Sequence, residues 1–141
     1  MPGSVKVTGV PVDTLLANSY ARLRMHGLRE SLIELIRRTS AEIPDDVQRG
    51  ILRGLEQEKE GTIAKSALEI IEKNIELAKR KSQPLCQDTG SILFYVDCPV
   101  GLNQVEFEAE AREAVVAATK LGYLRQNSVD SITGKNDGTN L

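Results

Sequence analysis

The sequence predicts a helix-rich α+β fold: a bundle of about four helices, with a short strand or small sheet following the Cys86 loop. Amphipathic stretches before residue 82 carry aliphatic side chains at helical spacing, with charges on the opposite face. A β-branched and aromatic run, Ile92 to Val96, starts just after Gly90. A further helical pattern follows from about Gln104.

Residues 1–24 have weak periodicity and are broken by Gly3, Gly9 and Pro11, so they read as an extension, vector-derived or a mobile arm. Residues 25–141 then form one domain, as a chain of 141 residues allows. Leu28, Leu32, Leu35 and Ile36 are the buried stripe of the first helix, opposite Arg29, Glu30, Glu34 and Arg37. Pro44-Asp45-Asp46 starts a second helix, with acids in its first turn. Val47, Ile51, Leu52 and Leu55 give it a buried stripe, and Gly61 is its expected end.

Thr62 caps a third helix running to about Lys81. Leu68, Ile71, Ile75 and Ala78 form its stripe, widened by Ile63, Ala67 and Ile70. Lys79, Arg80 and Lys81 fall in the last turn, where cations suit the negative end of the dipole. That triplet reads as a solvated helix end before it reads as an attractor of anionic substrate. In the run after Gly90, Ile92, Phe94, Val96 and Cys98 share one face, and Leu93, Tyr95 and Asp97 the other. Cys98 is therefore expected as a small core residue. Pro99 and Gly101 close the strand. The fourth helix, to about Leu121, buries Val105, Ala111, Ala114, Val115 and Ala118, and Gly122 breaks it.

Composition excludes several classes of function. The net charge of −2, with 18 basic against 20 acidic residues, makes no basic field for nucleic acid or anionic lipid. Aromatics are 4% and Trp is absent, which disfavours base stacking. There is no apolar run of about 18 residues for a membrane span. Asp13 interrupts the run from Val10 to Ala17, against a secretory signal. Two cysteines make no disulfide framework, and a reducing cytoplasm is the simplest expectation.

The chemistry concentrates in Pro84-Leu85-Cys86-Gln87-Asp88-Thr89-Gly90, which sets a thiol, an amide, a carboxylate and a hydroxyl on consecutive residues at a helix-to-strand switch. A lone cysteine is ordinarily a half-buried packing residue, a loop Gln an ordinary amide, and a loop Asp a turn former. A lone Arg such as Arg125 is usually a solvent-exposed ion pair. Three other readings fail on the residues. Gly134-Lys135 resembles the end of a phosphate-binding loop, but Val129 stands where its first Gly should be, and Asn136 replaces Ser/Thr. His26 lies far from Cys86, without support for a Cys–His pair. No CxxC occurs.

The motif resembles the first cluster-ligand motif of the iron–sulfur hydro-lyases, the class I fumarases and L-tartrate dehydratases. The similarity runs from about Leu28 to Gly138 and includes Gly122-Tyr123-Leu124-Arg125-Gln126-Asn127-Ser128-Val129. The resemblance implies a [4Fe-4S] cluster with Cys86 as one ligand, an open iron acting as Lewis acid, and Gln87 and Arg125 on substrate carboxylates. Asp88 would belong to the proton-transfer network. It implies reversible hydration of a C4 dicarboxylate, fumarate/malate before tartrate/oxaloacetate. The implied partners are the remainder of an alpha chain, a beta subunit or C-terminal domain, and an oligomeric assembly.

The family uses three cysteines, and residues 99–141 contain none, so two ligands are expected outside this chain. Gly134-Lys135-Asn136-Asp137-Gly138 resembles the family's Gly-Lys-Asn-Thr-Gly stretch, with Asp137 where threonine is usual. Its proline-containing continuation does not arrive, so an N-terminal fragment or truncated chain is expected ahead of a natural stand-alone module. The isolated chain is expected to be inactive and to hold no cluster. The rival function is a non-catalytic helical module that binds a partner chain through residues 45–59 and 62–81.

Overall fold

The computed structural model describes residues 27–86 and 90–141. The expectations for residues 1–24, for His26 and for the side chains of Gln87, Asp88 and Thr89 lie outside the described residues. Four helices follow one another: α1 (Leu28–Ala41), α2 (Asp45–Gln57), α3 (Ile63–Lys81) and α4 (Gln104–Lys120).

Helix α1 starts from Gly27, whose left-handed backbone (φ 82°) turns the chain into the helix. It buries Leu32, Ile36 and Ala41. Leu35, expected in that stripe, is 51% exposed, because it faces a cavity rather than a neighbouring helix. The principal contact of α1 is with α4, and the small residues Ala111, Ala114 and Ala118 let the two approach closely. With Leu32, Ile36 and Val115 they form the core cluster, and Leu28, Phe107, Tyr123 and Leu124 pack around it half-buried. Burial of Leu32, Ile36 and Val115 contributes up to about 1.5–3 kcal/mol each, and each alanine methyl less. Arg29 ties the two helices outside the core, its Nε and Nη2 donating to the Glu110 carboxylate at 2.8 and 3.1 Å.

Helix α2 follows Pro44, with Asp45 and Asp46 in the first turn as expected. Its end differs from expectation. The helix stops at Gln57, and Gly61 (φ 81°) instead serves the turn in which the Thr62 N–H donates to the Lys59 carbonyl. Thr62 must be extended to cap α3, accepting from the Lys65 N–H at 3.2 Å, so the preceding residues cannot remain helical. Lys65 Nζ reaches back to the Leu55 carbonyl at 2.7 Å and satisfies an orphan acceptor of α2.

Helix α2 buries none of its residues. Its expected stripe is only half-covered, since α2 packs along α3 without docking on the α1–α4 core. Ile75 and Ala78 of α3 are buried, whereas Ile63, Ala67 and Ile70, expected to widen the stripe, are exposed. Lys79, Arg80 and Lys81 are exposed in the last turn. Ser82 ends α3 in the left-handed region (φ 50°), its N–H donating to Ala78 and Lys79 carbonyls.

The expected strand is not seen: no β-strand is present among the described residues. The alternation survives in part. Ile92 and Phe94 pack on the core, while Leu93 and Tyr95 are exposed. Beyond Phe94 the inward face ends, for Val96 and Cys98 are both exposed. The expectation of Cys98 as a core residue is therefore corrected. A strand needs a neighbour to complete its ladder, and none of the described residues offers one. Helix α4 opens with the Asn103 side chain accepting from the Glu106 N–H. Val105 in its first turn is 79% exposed rather than buried, as it precedes the stretch that faces α1.

Candidate functional site

Cys86 is placed by its predecessor. The Leu85 N–H donates to the Ser40 carbonyl of the last turn of α1 at 2.9 Å. The Leu85 carbonyl accepts from Asn74 Nδ2 of α3 at 3.1 Å. Both backbone polar groups of Leu85 are thus spoken for by two different helices, and the next residue is the thiol. Gly90, across the loop, has φ 64°, which a side chain would strain. Cys86 is exposed and in no disulfide.

The thiol residue lies on a largely apolar cavity of about 510 Å³. Leu35 and Ile36 of α1, Pro84, Phe94 and Leu124 contribute to its lining. Leu124 immediately precedes Arg125, so the two segments singled out in the sequence, 84–90 and 122–129, meet at one cavity. Arg125 itself is exposed. The placement of Gln87 and Asp88 lies outside the described residues.

The Arg125 loop is held from downstream. Asn140 Nδ2 donates to the Arg125 carbonyl at 2.7 Å, and Asn140 Oδ1 accepts from the Ser128 N–H at 3.1 Å. Asn136 Nδ2 donates to the Gln126 carbonyl at 2.6 Å. Ser128 thus takes part in holding the loop through its backbone N–H. Asp130 closes the following turn: its carboxylate accepts from the Ile132 and Thr133 N–H groups and the Thr133 hydroxyl. The bonds from Thr133 hold that carboxyl below its ordinary pKa. At Asp137, hydrogen bonds from the Thr139 hydroxyl and N–H do the same.

Sequence reasoning missed Asn74, Asn136 and Asn140. Asn74 sits mid-helix, where propensity gives it no purpose, and that mismatch was the available signal. The two downstream asparagines stand in a polar, glycine-bearing stretch that reads simply as loop. Among the described residues there is no group of three His, Cys, Asp or Glu able to hold a metal ion. No helix among them is long and apolar enough to cross a membrane.

Residues 29–141 match the family described as Fumarate hydratase (Fumerase). The chain is 45% identical over 117 residues to the Geobacillus stearothermophilus protein named "Putative fumarate hydratase class I", covering 83% of this chain and 23% of that one. It is 30% identical to the "Putative L(+)-tartrate dehydratase subunit alpha" of Methanocaldococcus jannaschii, over 81% of this chain and 41% of that protein. With the L(+)-tartrate dehydratase subunit alpha of Escherichia coli (strain K12) the identity is 27%, over 90% and 43%. The chain therefore belongs to the fumarate hydratase family. It spans between about a quarter and two-fifths of the length of these relatives.

Proposed function

We propose that this chain supplies the first cluster-ligand loop and a carboxylate-binding arginine to an iron–sulfur hydro-lyase that reversibly hydrates a C4 dicarboxylate. Fumarate/malate ranks ahead of tartrate/oxaloacetate, since identity is higher to the protein named for fumarate hydration than to those named for tartrate. One observation carries the reading: Cys86, exposed and set by an anchored Leu85, shares a cavity with the residue preceding Arg125.

The described residues fit one corner of a [4Fe-4S] cluster. A thiolate ligates iron because sulfur is soft, and Cys86 stands at the cavity rather than in the core. No complete ligand set accompanies it among the described residues, and in this reading the other ligands would come from further protein. When bound, such a cluster supplies Lewis acidity toward substrate oxygen. Cys86 would hold it. The Arg125 guanidinium would grip one substrate carboxylate by two parallel hydrogen bonds, fixing the carbon skeleton in orientation. Gln87 would donate its amide N–H to a carboxylate, and the Asp88 carboxylate would assist proton movement. The apolar walls given by Leu35, Ile36 and Phe94 would limit water around the reacting carbons.

The partners in this reading are the remainder of an alpha chain and a beta subunit or C-terminal domain, in a cytoplasmic oligomer. The rival reading, a partner-binding helical module, draws on the exposed aliphatics of α2 and α3, among them Val47, Ile63 and Ile70. Anaerobic iron and sulfide reconstitution of the chain together with the protein supplying the remaining ligands separates the two. The hydro-lyase reading requires a brown chromophore and hydration of fumarate. Absence of both after assembly would leave only the interaction module.

A further inference from the structure

We propose that Asn140 is a positioning residue for Arg125, locking the loop that presents the guanidinium to a substrate carboxylate; this rests on the reading of Arg125 given above. The amide of Asn140 uses both donors and its acceptor at once. Nδ2 donates to the Arg125 carbonyl at 2.7 Å and to Thr119 Oγ1 at 3.1 Å, while Oδ1 accepts from the Ser128 N–H at 3.1 Å. The backbone of Asn140 is left-handed (φ 60°), a region few residues other than Gly enter and Asn tolerates best.

The three bonds have a common consequence. Carbonyl 125 and N–H 128 are the two ends of a short loop, and one planar group clamps both. The third bond fastens that clamp to α4, since Thr119 is buried and its hydroxyl also donates to the Val115 carbonyl at 2.8 Å. The anchor is thus rigid and the anchored residues are not core: Arg125, Gln126 and Asn127 are exposed. A clamp of this kind on exposed polar residues adds no apolar burial. Its effect is to restrict where the residue-125 side chain starts, which is what a bidentate grip on a planar carboxylate needs. Neither Gln, one methylene longer, nor Asp, without donors, reproduces the three bonds from this backbone.

The test uses the cluster-loaded holoenzyme and four variants: Asn140→Gly, Asn140→Asp, Arg125→Ala and the Arg125→Ala/Asn140→Gly double. Glycine accepts the left-handed backbone without strain and removes the side chain with its amide. Aspartate keeps the acceptor for Ser128 and loses the donors, so it serves should the glycine variant not fold. Succinate binding is measured by calorimetry, with KM and kcat for fumarate and melting temperature alongside. Either Asn140 variant is expected to weaken succinate and raise KM by about tenfold, with kcat changing less, the scale of one good hydrogen bond. In the Arg125→Ala background the further loss should be below about twofold, since residues acting as a unit are non-additive. Equal losses in both backgrounds, or a fall in melting temperature with KM unmoved, would overturn the proposal and leave the Arg125 reading intact. Unchanged succinate affinity in Arg125→Ala alone would sink both.

Discussion

Asn74 of α3 donates its side-chain amide to the Leu85 carbonyl at 3.1 Å, one residue before the Cys86 thiol. With Ser40 accepting from the N–H of the same residue, two helices share the task of placing Cys86. Asn74→Ala should cost about 0.5–1.5 kcal/mol, the net value of one such bond. The more specific expectation concerns the loop. Native-state hydrogen exchange at the Leu85 amide should accelerate, because only the Ser40 bond would remain to hold it. Unchanged exchange would show that α1 alone fixes the loop.

A second expectation concerns acid. Glu34 accepts from Arg37 Nε at 2.7 Å and from Arg38 Nε at 2.7 Å, and these bonds, that from Arg37 first, lower its pKa from 4.5 to about 2. Arg37 also donates to Glu42 at 3.0 Å and to Ser82 Oγ at 3.4 Å, so the cluster links α1 to the end of α3. A carboxyl whose pKa is depressed on folding stabilises the native state above its unfolded pKa, and loses that contribution as pH falls through the folded value. Wild-type stability should therefore decline between pH 4.5 and about 2, and Glu34→Gln should flatten that limb in thermal melts taken across the range. Identical acid limbs would show that the ion pairs are screened out.

Packing between α1 and α4 gives a third. Ala118 is fully buried among Leu32, Ile36 and Val115, in a gap sized for a methyl group. Ala118→Leu should destabilise by about 1–3 kcal/mol through overpacking. Val105→Ala, at a side chain 79% exposed, should stay within about 0.5 kcal/mol. Urea denaturation of the two variants checks the ordering. A costly Val105→Ala would mean that this exposed turn is covered in solution.

These residues show what the sequence could and could not disclose. All four helices and the Thr62 N-cap follow from local rules: periodicity, capping residues and breakers act within a few positions. The Cys86 motif and the Arg125 segment were legible as a family resemblance because the order of functional groups is itself a pattern. Burial was less legible. The apolar faces of α2 and of Ile63 and Ile70 obey helical spacing, but spacing says only that a face is apolar, not that this chain covers it. The run from Ile92 to Cys98 failed for a similar reason, since a strand is made by its neighbour. The clamps by Asn74 and Asn140 span 11 to 21 residues and leave no local signature.

Arg125 supports a prediction of its own. Arg125→Lys keeps the charge and loses the planar fork, so in the complete enzyme activity should fall by roughly 10- to 1,000-fold, equivalent to about 1.4–4 kcal/mol of transition-state stabilisation. Steady-state kinetics with fumarate and malate decide it. Near-wild-type rates would place Arg125 outside the substrate site.

The two cysteines provide an internal control for the cluster assignment. Both are exposed, so exposure alone does not tell a ligand from a bystander. Position does. Cys86 lies on the cavity with its neighbouring Leu85 anchored to α1 and α3, whereas Cys98 follows a stretch in which Tyr95, Val96 and Asp97 are exposed and no described element packs. In the complete enzyme, Cys86→Ser should bleach the cluster absorbance and abolish turnover, because a serine hydroxyl is a harder and poorer ligand for iron than a thiolate. Cys98→Ala should retain both, and at an exposed position it should alter stability by no more than about 0.5 kcal/mol. In the chain alone both thiols should titrate with a thiol reagent, and no stable four-iron cluster should form, since a single loop thiolate leaves the other corners without ligands. The pair discriminates sharply. If Cys98→Ala destroyed the cluster while Cys86→Ser spared it, iron ligation would belong to the exposed segment around Cys98, and the reading of the Pro84–Gly90 loop would fail with it.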